Sequence, residues 1–487
     1  MNRRHFLGLL GTGVAGAFSA PGRQTDPTGT TVSAPGPNIV LILCDNLGYG
    51  DLACLGSVGQ DTPNIDRLAR EGMCLTSFYS SSPVCTPSRA SLMTGCYAQR
   101  VDMHLSDSGG WVLQPVSGKG LNPSETTIAE ILRGQGYATA CLGKWHLGDQ
   151  PEFLPTRHGF DDYLGIPYSE DMVPADTRTW PPLPLMRNEA VIEAPVDLTR
   201  TTRRYVTEAV RFIRDNCRRR FFLYFAHHLP GSRKVPDVDP EFRGKSRNGL
   251  YGDSVQEIDW SVGEIMAELR KLDLDDRTLV LFTSDNGTPP DKGGSNAPWA
   301  GWAYSTSEGG MRMPCMVRWP GRIPAGKTCS ELCTMMDLLP TLSRLAGGRV
   351  EASRVIDGKD IWNLWIGAPG AESPHEAFYY YMADQLQAVR CGVWKLHLPL
   401  ETIRGRQVNR PLKLIDLGTD PQETTDLSHQ HPDIVQRLLA LAQRARNELG
   451  DLNQRGRGQR PAGRVNHPTP RTLISTDQRV IEDRRNA

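Results

Sequence analysis

Asn38-Ile39-Val40-Leu41-Ile42-Leu43 runs directly into Cys44-Asp45-Asn46. The apolar run has no polar alternation, so a strand formed from it must be buried on both faces, as in a parallel sheet covered by helices on two sides. The pattern returns at Phe221-Phe222-Leu223-Tyr224-Phe225-Ala226 and at Thr278-Leu279-Val280-Leu281-Phe282-Thr283, with a shorter strand at 138–142. Helical patterns separate these runs, at about 63–71, 126–134, 201–216 and 254–271. Strands alternating with helices predict an α/β fold with a large mixed, mostly parallel sheet sandwiched by helices. After about residue 370 the pattern changes. Short strands at 378–381, 388–389, 394–397 and 412–416, then an amphipathic helix at 433–449, predict a small C-terminal antiparallel sheet with one packed helix. The expected organisation is a signal and linker at 1–36, a catalytic α/β domain at 37–370, a C-terminal α+β subdomain at 371–450 and a flexible basic tail at 451–487. The tail is read from eight arginines, four acids and few large apolar residues.

In an open parallel sheet, ligands bind beyond the carboxyl ends of the strands. Here the first strand ends in Asp45-Asn46, the 138–142 strand in Gly143-Lys144-Trp145-His146, the 221–226 strand in His227-His228 and the 278–283 strand in Ser284-Asp285-Asn286-Gly287. One strand-end aspartate is commonly a helix cap; four such clusters on one sheet edge converge. Asp45, Asn46, Asp285 and Asn286 offer only oxygen ligands, which suit a hard cation such as Ca²⁺ or Mg²⁺. Cys85 stands in Pro83-Val84-Cys85-Thr86-Pro87-Ser88-Arg89. Thr86 is expected to cap the following helix and Pro87 to occupy its first turn. That places Cys85 among unpaired backbone N–H groups, where a thiol pKa falls. A hard metal ringed by Arg89, Lys144 and His146 beside a nucleophile suits cleavage of an oxyanion ester.

The 487 residues carry a formal net charge of +0 with 23% charged side chains, which excludes a general nucleic-acid binder. The eleven cysteines lack metal-ligand spacing, and a chain of this length needs no disulfide scaffold. Asn2-Arg3-Arg4-His5-Phe6-Leu7 opens an apolar, small-residue run over 6–20. This reads as a twin-arginine export signal, too short for a stable membrane span, and implies a periplasmic or extracellular location.

The segments N-I-V-L-I-L-C-D-N-L-G-Y-G-D at 38–51, C-T-P-S-R at 85–89, G-K-W-H-L-G at 143–148, S-D-N-G at 284–287 and E-G-G at 308–310 resemble, in order and spacing, the formylglycine-dependent type I sulfatases of the alkaline phosphatase superfamily. The resemblance covers about residues 37–450. It implies that a formylglycine-generating enzyme oxidises Cys85 to Cα-formylglycine, whose hydrate attacks sulfur and later eliminates sulfate. It further implies that Arg89 and Lys144 hold the diol and the growing charge, and that His146 handles the proton of the elimination step. Asp45, Asn46, Asp285 and Asn286, with residue 85, would hold one Ca²⁺. Three positions depart from the family pattern. Asn46 replaces a second aspartate, Gly231 follows Pro230 where the family has a sulfate-contacting histidine, and Ala303 replaces a lysine five residues before Glu308. His227, His228 or a nearby cation is expected to substitute for the histidine, and His227 is counted with the catalytic group; Lys292 lies close in sequence to the lost lysine. The resemblance implies an exported sulfatase acting on sulfated carbohydrate, with aryl sulfates as simple substrates. The alternatives are a phosphoryl hydrolase of the same superfamily and an impaired homologue that binds sulfated glycans.

Overall fold

β1 (Asn38–Asp45) lies near the centre of a ten-stranded sheet and is buried along its whole length. It pairs in parallel with β10 (Thr278–Ser284) on one side and β9 (Phe221–Pro230) on the other, and β9 pairs in parallel with β5 (Ala138–Gly143). The four apolar runs of the sequence are therefore neighbours running the same way, in the order β10-β1-β9-β5. Beyond β10 the sheet continues antiparallel through β12 (Cys315–Arg318) to β2 (Met73–Leu75), with β13 (Lys327–Cys329) parallel to β2 at the edge. Beyond β5 come β6 (Asp162–Gly165), parallel, and then β7 (Leu185–Arg187) and β8 (Ala190–Glu193), antiparallel. This computed structural model describes residues 36–403, 405–452 and 454–473. The expected export signal, and all of its linker but Gly36, lie outside them. No helix among the described residues is long and apolar enough to cross a membrane.

Successive residues of β1 point to opposite faces, as a pleated strand requires. Ile39, Leu41 and Leu43 enter one core with α2 (Cys85–Thr94), α3 (Ile128–Gly134), α7 (Leu338–Ala346) and α8 (Trp362–Trp365). Val40 and Ile42 enter the other with α1 (Pro63–Glu71), α4 (Thr201–Asp215) and α5 (Gly249–Lys271). Each fully buried side chain of this kind stabilises the fold by about 1.5–3 kcal/mol. The strand is fixed from both sides, and so are the polar residues at its end.

The C-terminal sheet is antiparallel, in the order β15 (Phe378–Met382), β16 (Gln385–Cys391), β17 (Trp394–His397), β20 (Lys413–Asp416). α9 (Pro432–Leu449) packs on it through Leu438, Leu441, Ala442 and Leu449. A hairpin that the sequence pattern did not reveal, β18 (Leu400–Ile403) and β19 (Arg406–Arg410), interrupts the sheet between β17 and β20. From Pro37 onward the described residues form one compact unit. The joint is polar. Glu308 opens α6 (Glu308–Met311) and is fully buried. Its Oε1 accepts from Lys395 Nζ at 3.0 Å and Tyr380 Oη at 2.7 Å, both in the C-terminal sheet. Its Oε2 accepts from Tyr79, in the small sheet of β11 (Arg312–Met313), β3 (Phe78–Tyr79) and β14 (Cys333–Thr334).

The expected flexible tail is corrected for its described part. β21 (Gly463–Arg464) pairs antiparallel with β4 (Lys119–Gly120). Arg460 grips the buried Glu125 with contacts of 2.8 and 3.0 Å, and Gln150 Oε1 accepts from the Thr469 backbone at 2.8 Å. Ion pairs and backbone hydrogen bonds hold this segment, and apolar periodicity does not reveal them.

Candidate active site

Because β10, β1, β9 and β5 are adjacent and parallel, their carboxyl ends open onto one place, and Asp45 at the end of β1 is its hub. Asp45 Oδ1 lies 3.2 Å from Cys85 Sγ, 3.2 Å from Arg89 Nη2 and 2.8 Å from Lys144 Nζ. Arg89 also donates from Nε to Asp285 Oδ2 at 2.9 Å and from Nη1 to the Lys144 carbonyl at 2.8 Å. Lys144 Nζ is 3.7 Å from Cys85 Sγ and also meets Ser169 Oγ at 2.8 Å and Glu170 Oε2 at 3.3 Å. Asp45, Arg89, Lys144 and Asp285 are all fully buried. Gly143 makes the turn after β5 possible. Its φ is +117°, and a Cβ there would sit 1.8 Å from the Ala226 carbonyl oxygen, so only glycine lets Lys144 follow at this level of the sheet.

The oxygen atoms fit a hard cation. Asp45 Oδ2 and Asn286 Oδ1 are buried without a hydrogen-bond partner, a costly state unless an ion takes their lone pairs. Ligand atoms of Asp45, Cys85 and Asp285 lie within 4.8 Å of one another. Asn46 is held in the left-handed region at φ 60°. Its oxygen accepts from the Asn286 amide, and its own amide donates to Ser232 Oγ at 2.8 Å. The neutral side chain at 46 thus joins the oxygen cluster by a hydrogen bond where a second aspartate would add charge.

Burial, followed by Asp285 and Asp45, pushes the Cys85 thiol well above its ordinary range, and Lys144 and Arg89 only partly offset this. The expected lowering is corrected. The helix does start at Cys85, with Val84 as N-cap, but burial, with the two carboxylates, outweighs its N-terminus. Thr86 does not cap the helix: its Oγ1 donates to the His146 carbonyl at 3.0 Å and accepts from Leu113 N at 3.2 Å. Burial also lifts the Asp45 carboxyl, with Asp285 adding to the rise. For Lys144 burial pulls the other way, but Asp45, Cys85 and Glu170 hold the ammonium well above its usual value. Burial, then Lys144 and Arg89, keep His146 neutral, well below the usual imidazole range. His146 Nε2 sits 3.0 Å from the Leu113 carbonyl and so carries the proton, leaving the buried Nδ1 bare and without a partner.

Of the nine residues singled out from the sequence, Asp45, Asn46, Cys85, Arg89, Lys144, Asp285 and Asn286 are brought together by direct contacts. His146 joins through Thr86, whose hydroxyl bonds its carbonyl. His227 does not join. Its Nε2 lies 2.9 Å from Ser261 Oγ of α5 and its ring packs edge-on against Phe225, in the helical layer. Burial keeps it neutral, at about 3. His228 packs on the same helical layer, its Nε2 3.4 Å from Thr201 Oγ1 and its ring edge-on to Tyr205 of α4, and of the two histidines it is the one that feels Glu170, Asp45 and Lys144. Gly231 has φ +84°, and a Cβ would meet the His228 carbonyl at 2.6 Å and Glu170 Oε1 at 2.7 Å, so no side chain fits at this position. The next residue, Ser232, closes the site: its Oγ meets Asn46, its N–H meets Glu170, and its carbonyl accepts from Lys292 Nζ at 2.6 Å. Lys292 therefore reaches the rim that Ala303, itself buried, leaves without a cation. Ser169 and Glu170 escaped the sequence reading. They follow β6, a fifth parallel strand, and the strand-end rule applied there would have found them.

A sulfatase family profile matches residues 37–348, and a profile for the C-terminal region of aryl-sulfatase matches residues 373–462. The chain belongs to the sulfatase family. This sulfatase is 37% identical over 460 residues to the N-acetylgalactosamine-6-sulfatase of Canis lupus familiaris, covering 85% of this chain and 86% of that protein. It is also 37% identical over 459 residues to arylsulfatase A of Homo sapiens, covering 85% and 88%. Among solved structures it is similar to a Bacteroides thetaiotaomicron protein from work on the metabolism of multiple glycosaminoglycans. That match has a TM-score of 0.72 and 27% identity, and covers 85% of this chain and 99% of that one. The sulfatase is a sulfuric ester hydrolase, and its mixed sheet with a small C-terminal sheet is the architecture of these neighbours.

Proposed function

We propose that this sulfatase is an exported enzyme that hydrolyses sulfate esters of carbohydrate, using a Cα-formylglycine made from Cys85 and one Ca²⁺. The observation that carries the reading is the buried convergence of Cys85 Sγ, Arg89 and Lys144 Nζ on a single oxygen, Asp45 Oδ1. Asp45, Asp285 and Asn286 would hold the cation, with Asn46 beside them and the group at position 85 facing it. The hydrated aldehyde supplies two hydroxyls on one carbon, one to displace the alcohol from sulfur and one to release sulfate afterwards. The cation supplies charge stabilisation for the sulfate oxygens.

The remaining work belongs to side chains on the page. Arg89 bridges Asp45 and Asp285 and keeps both carboxylates in place. Lys144 points its ammonium between Asp45 and position 85, where it stabilises negative charge developing there. His146 presents a bare Nδ1, held neutral and ready to accept a proton. Carbohydrate as substrate rests on the relatives, whose names and settings include N-acetylgalactosamine 6-sulfate and glycosaminoglycans. Export rests on Arg3-Arg4 and the apolar run that follows. Twin-arginine export carries folded protein, which suits a chain whose Cys85 is modified by a formylglycine-generating enzyme before it leaves the cytoplasm.

The test is co-production with a formylglycine-generating system, peptide mass spectrometry across Cys85, and sulfate release from matched aryl sulfate and aryl phosphate esters. An aldehyde at position 85 with preference for the sulfate ester is expected. An unmodified thiol overturns the mechanism, and faster turnover of the phosphate ester favours a phosphoryl hydrolase. Fusion of residues 1–36 to a folded reporter, scored for arginine-dependent export, tests the location.

A further inference from the structure

A cleft of about 610 Å³ opens beside the catalytic cluster, between the loop after β10 and the C-terminal hairpin. Trp111 and Tyr304 form one wall, their rings stacked at 5.9 Å with an interplanar angle of 21°. Gln387 and Met382 of the C-terminal sheet lie along it, and Arg406 and Arg410 of β19 complete the lining. The lining holds two arginines and no acid. Neither guanidinium forms an ion pair among the described residues. Arg406 is exposed. Arg410 donates from Nη2 to the Gln387 carbonyl at 2.9 Å, and its Nε is buried without a partner.

The aromatic wall of the cleft is tied to the reaction centre. The Tyr304 backbone donates to the Pro83 carbonyl at 3.1 Å, two residues before Cys85. Its hydroxyl bonds the Ser232 side chain and feels Cys85, and Ser232 in turn holds Asn46. From Trp111, two residues lead to Leu113, which bonds both Thr86 and His146. The aromatic wall therefore stands between position 85 and two guanidinium groups that lack an acidic partner among the described residues.

We infer that this cleft is a second binding subsite, taking the neighbouring sugar of an oligosaccharide, and that Arg406 and Arg410 recognise an acidic group on that sugar. The inference rests on the sulfatase reading above and names its substrate class: a polyanionic glycan with acidic groups on adjacent rings. The stacked rings offer a flat apolar face to a sugar ring. Guanidinium groups suit sulfate and carboxylate alike through paired N–H donors. Ser305 Oγ, which donates to the Trp302 carbonyl at 2.7 Å, keeps its lone pairs for a ring hydroxyl.

The experiment uses full-length protein with Cys85→Ala, so that binding is read without turnover or maturation. Calorimetry compares three synthetic trisaccharides sulfated on the terminal ring, whose second ring carries a sulfate, a uronate carboxylate or no charge. The two charged ligands are expected to bind about tenfold tighter than the neutral one, as charge-assisted hydrogen bonds imply. Arg406→Gln with Arg410→Gln should erase the difference. Arg406→Gln alone, an exposed change on a surface hairpin, should erase part of it even if the double variant folds poorly. The stronger of the two charged ligands identifies the acid as sulfate or carboxylate. Equal binding of all three, or a preference untouched by both variants, overturns the inference. Turnover of a one-ring aryl sulfate by the matured wild type reports separately on the sulfatase mechanism.

Discussion

Asp45 shows how unevenly a single carboxylate is used. Oδ1 meets a thiol, a guanidinium and an ammonium, whereas Oδ2 meets nothing and stays buried. The charges around it are interdependent, so removing one cation exposes the others. Lys144→Met leaves Glu170 without its cation and Asp45 with Arg89 alone. It is expected to destabilise the fold by about 3–5 kcal/mol, the cost of breaking a buried pair from one side, and to lower sulfate release by about 100-fold or more. Urea denaturation and initial rates check the two effects. The unpaired oxygens make a second prediction. Calcium should raise the melting temperature and a chelator lower it, because an ion bound only by the folded state stabilises it by about 2.7 kcal/mol at a hundred times its dissociation constant. Asp285→Asn should flatten that calcium dependence in differential scanning calorimetry.

Among the elements, the short pair of β4 and β21 carries more weight than its two-residue length suggests. Glu125 is buried, and two of its contacts come from Arg460, just ahead of β21. Truncation after residue 452 leaves Glu125 with Arg354 and removes the ladder bonds at Lys119 and Gly120. Hydrogen bonds to a charged group contribute about 1.5–3 kcal/mol each, so a loss of several kcal/mol is expected. A drop in melting temperature with α9 still folded by hydrogen exchange would confirm that the segment clamps the catalytic body. Composition alone hid this, since arginine-rich, apolar-poor sequence also describes a solvated tail. The long elements were easier to read. α1 has the limits that its pattern suggested, and β1 and β10 start where their apolar runs start but continue two residues and one residue further, into the polar clusters.

At the scale of the whole molecule, the E-G-G segment joins the two sheets. Burial alone would raise the Glu308 carboxyl, but Lys395, Arg312 and Arg390 overcome it and hold it at about 2. The folded value lies below the usual carboxylate range. Its contribution is therefore fully present above about pH 4.5 and is lost as pH falls towards 2. Glu308→Gln should cost about 3 kcal/mol at pH 7. The gap between wild type and variant should close as the pH falls through that window. Denaturation at a series of pH values checks the sign, and a gap that widened in acid would refute the assignment.

The sequence by itself determined the sheet, its parallel core and most of the catalytic cluster. Unbroken apolar runs specify strands buried on both faces, and parallel neighbours must end on the same side. Asp45, Lys144 and Asp285 followed from that rule without any knowledge of side-chain direction. Only the tertiary structure decided what direction and depth control. It packed His227 against α5 and His228 against α4, and of the two only His228 feels Glu170, Asp45 and Lys144. It raised the Cys85 thiol where a helix start alone would lower it, because burial strips the thiolate of solvent and Asp285 and Asp45 add to the rise. It also brought Ser232, Lys292 and the β18–β19 hairpin to the rim, residues far apart in the chain whose meeting no local pattern records.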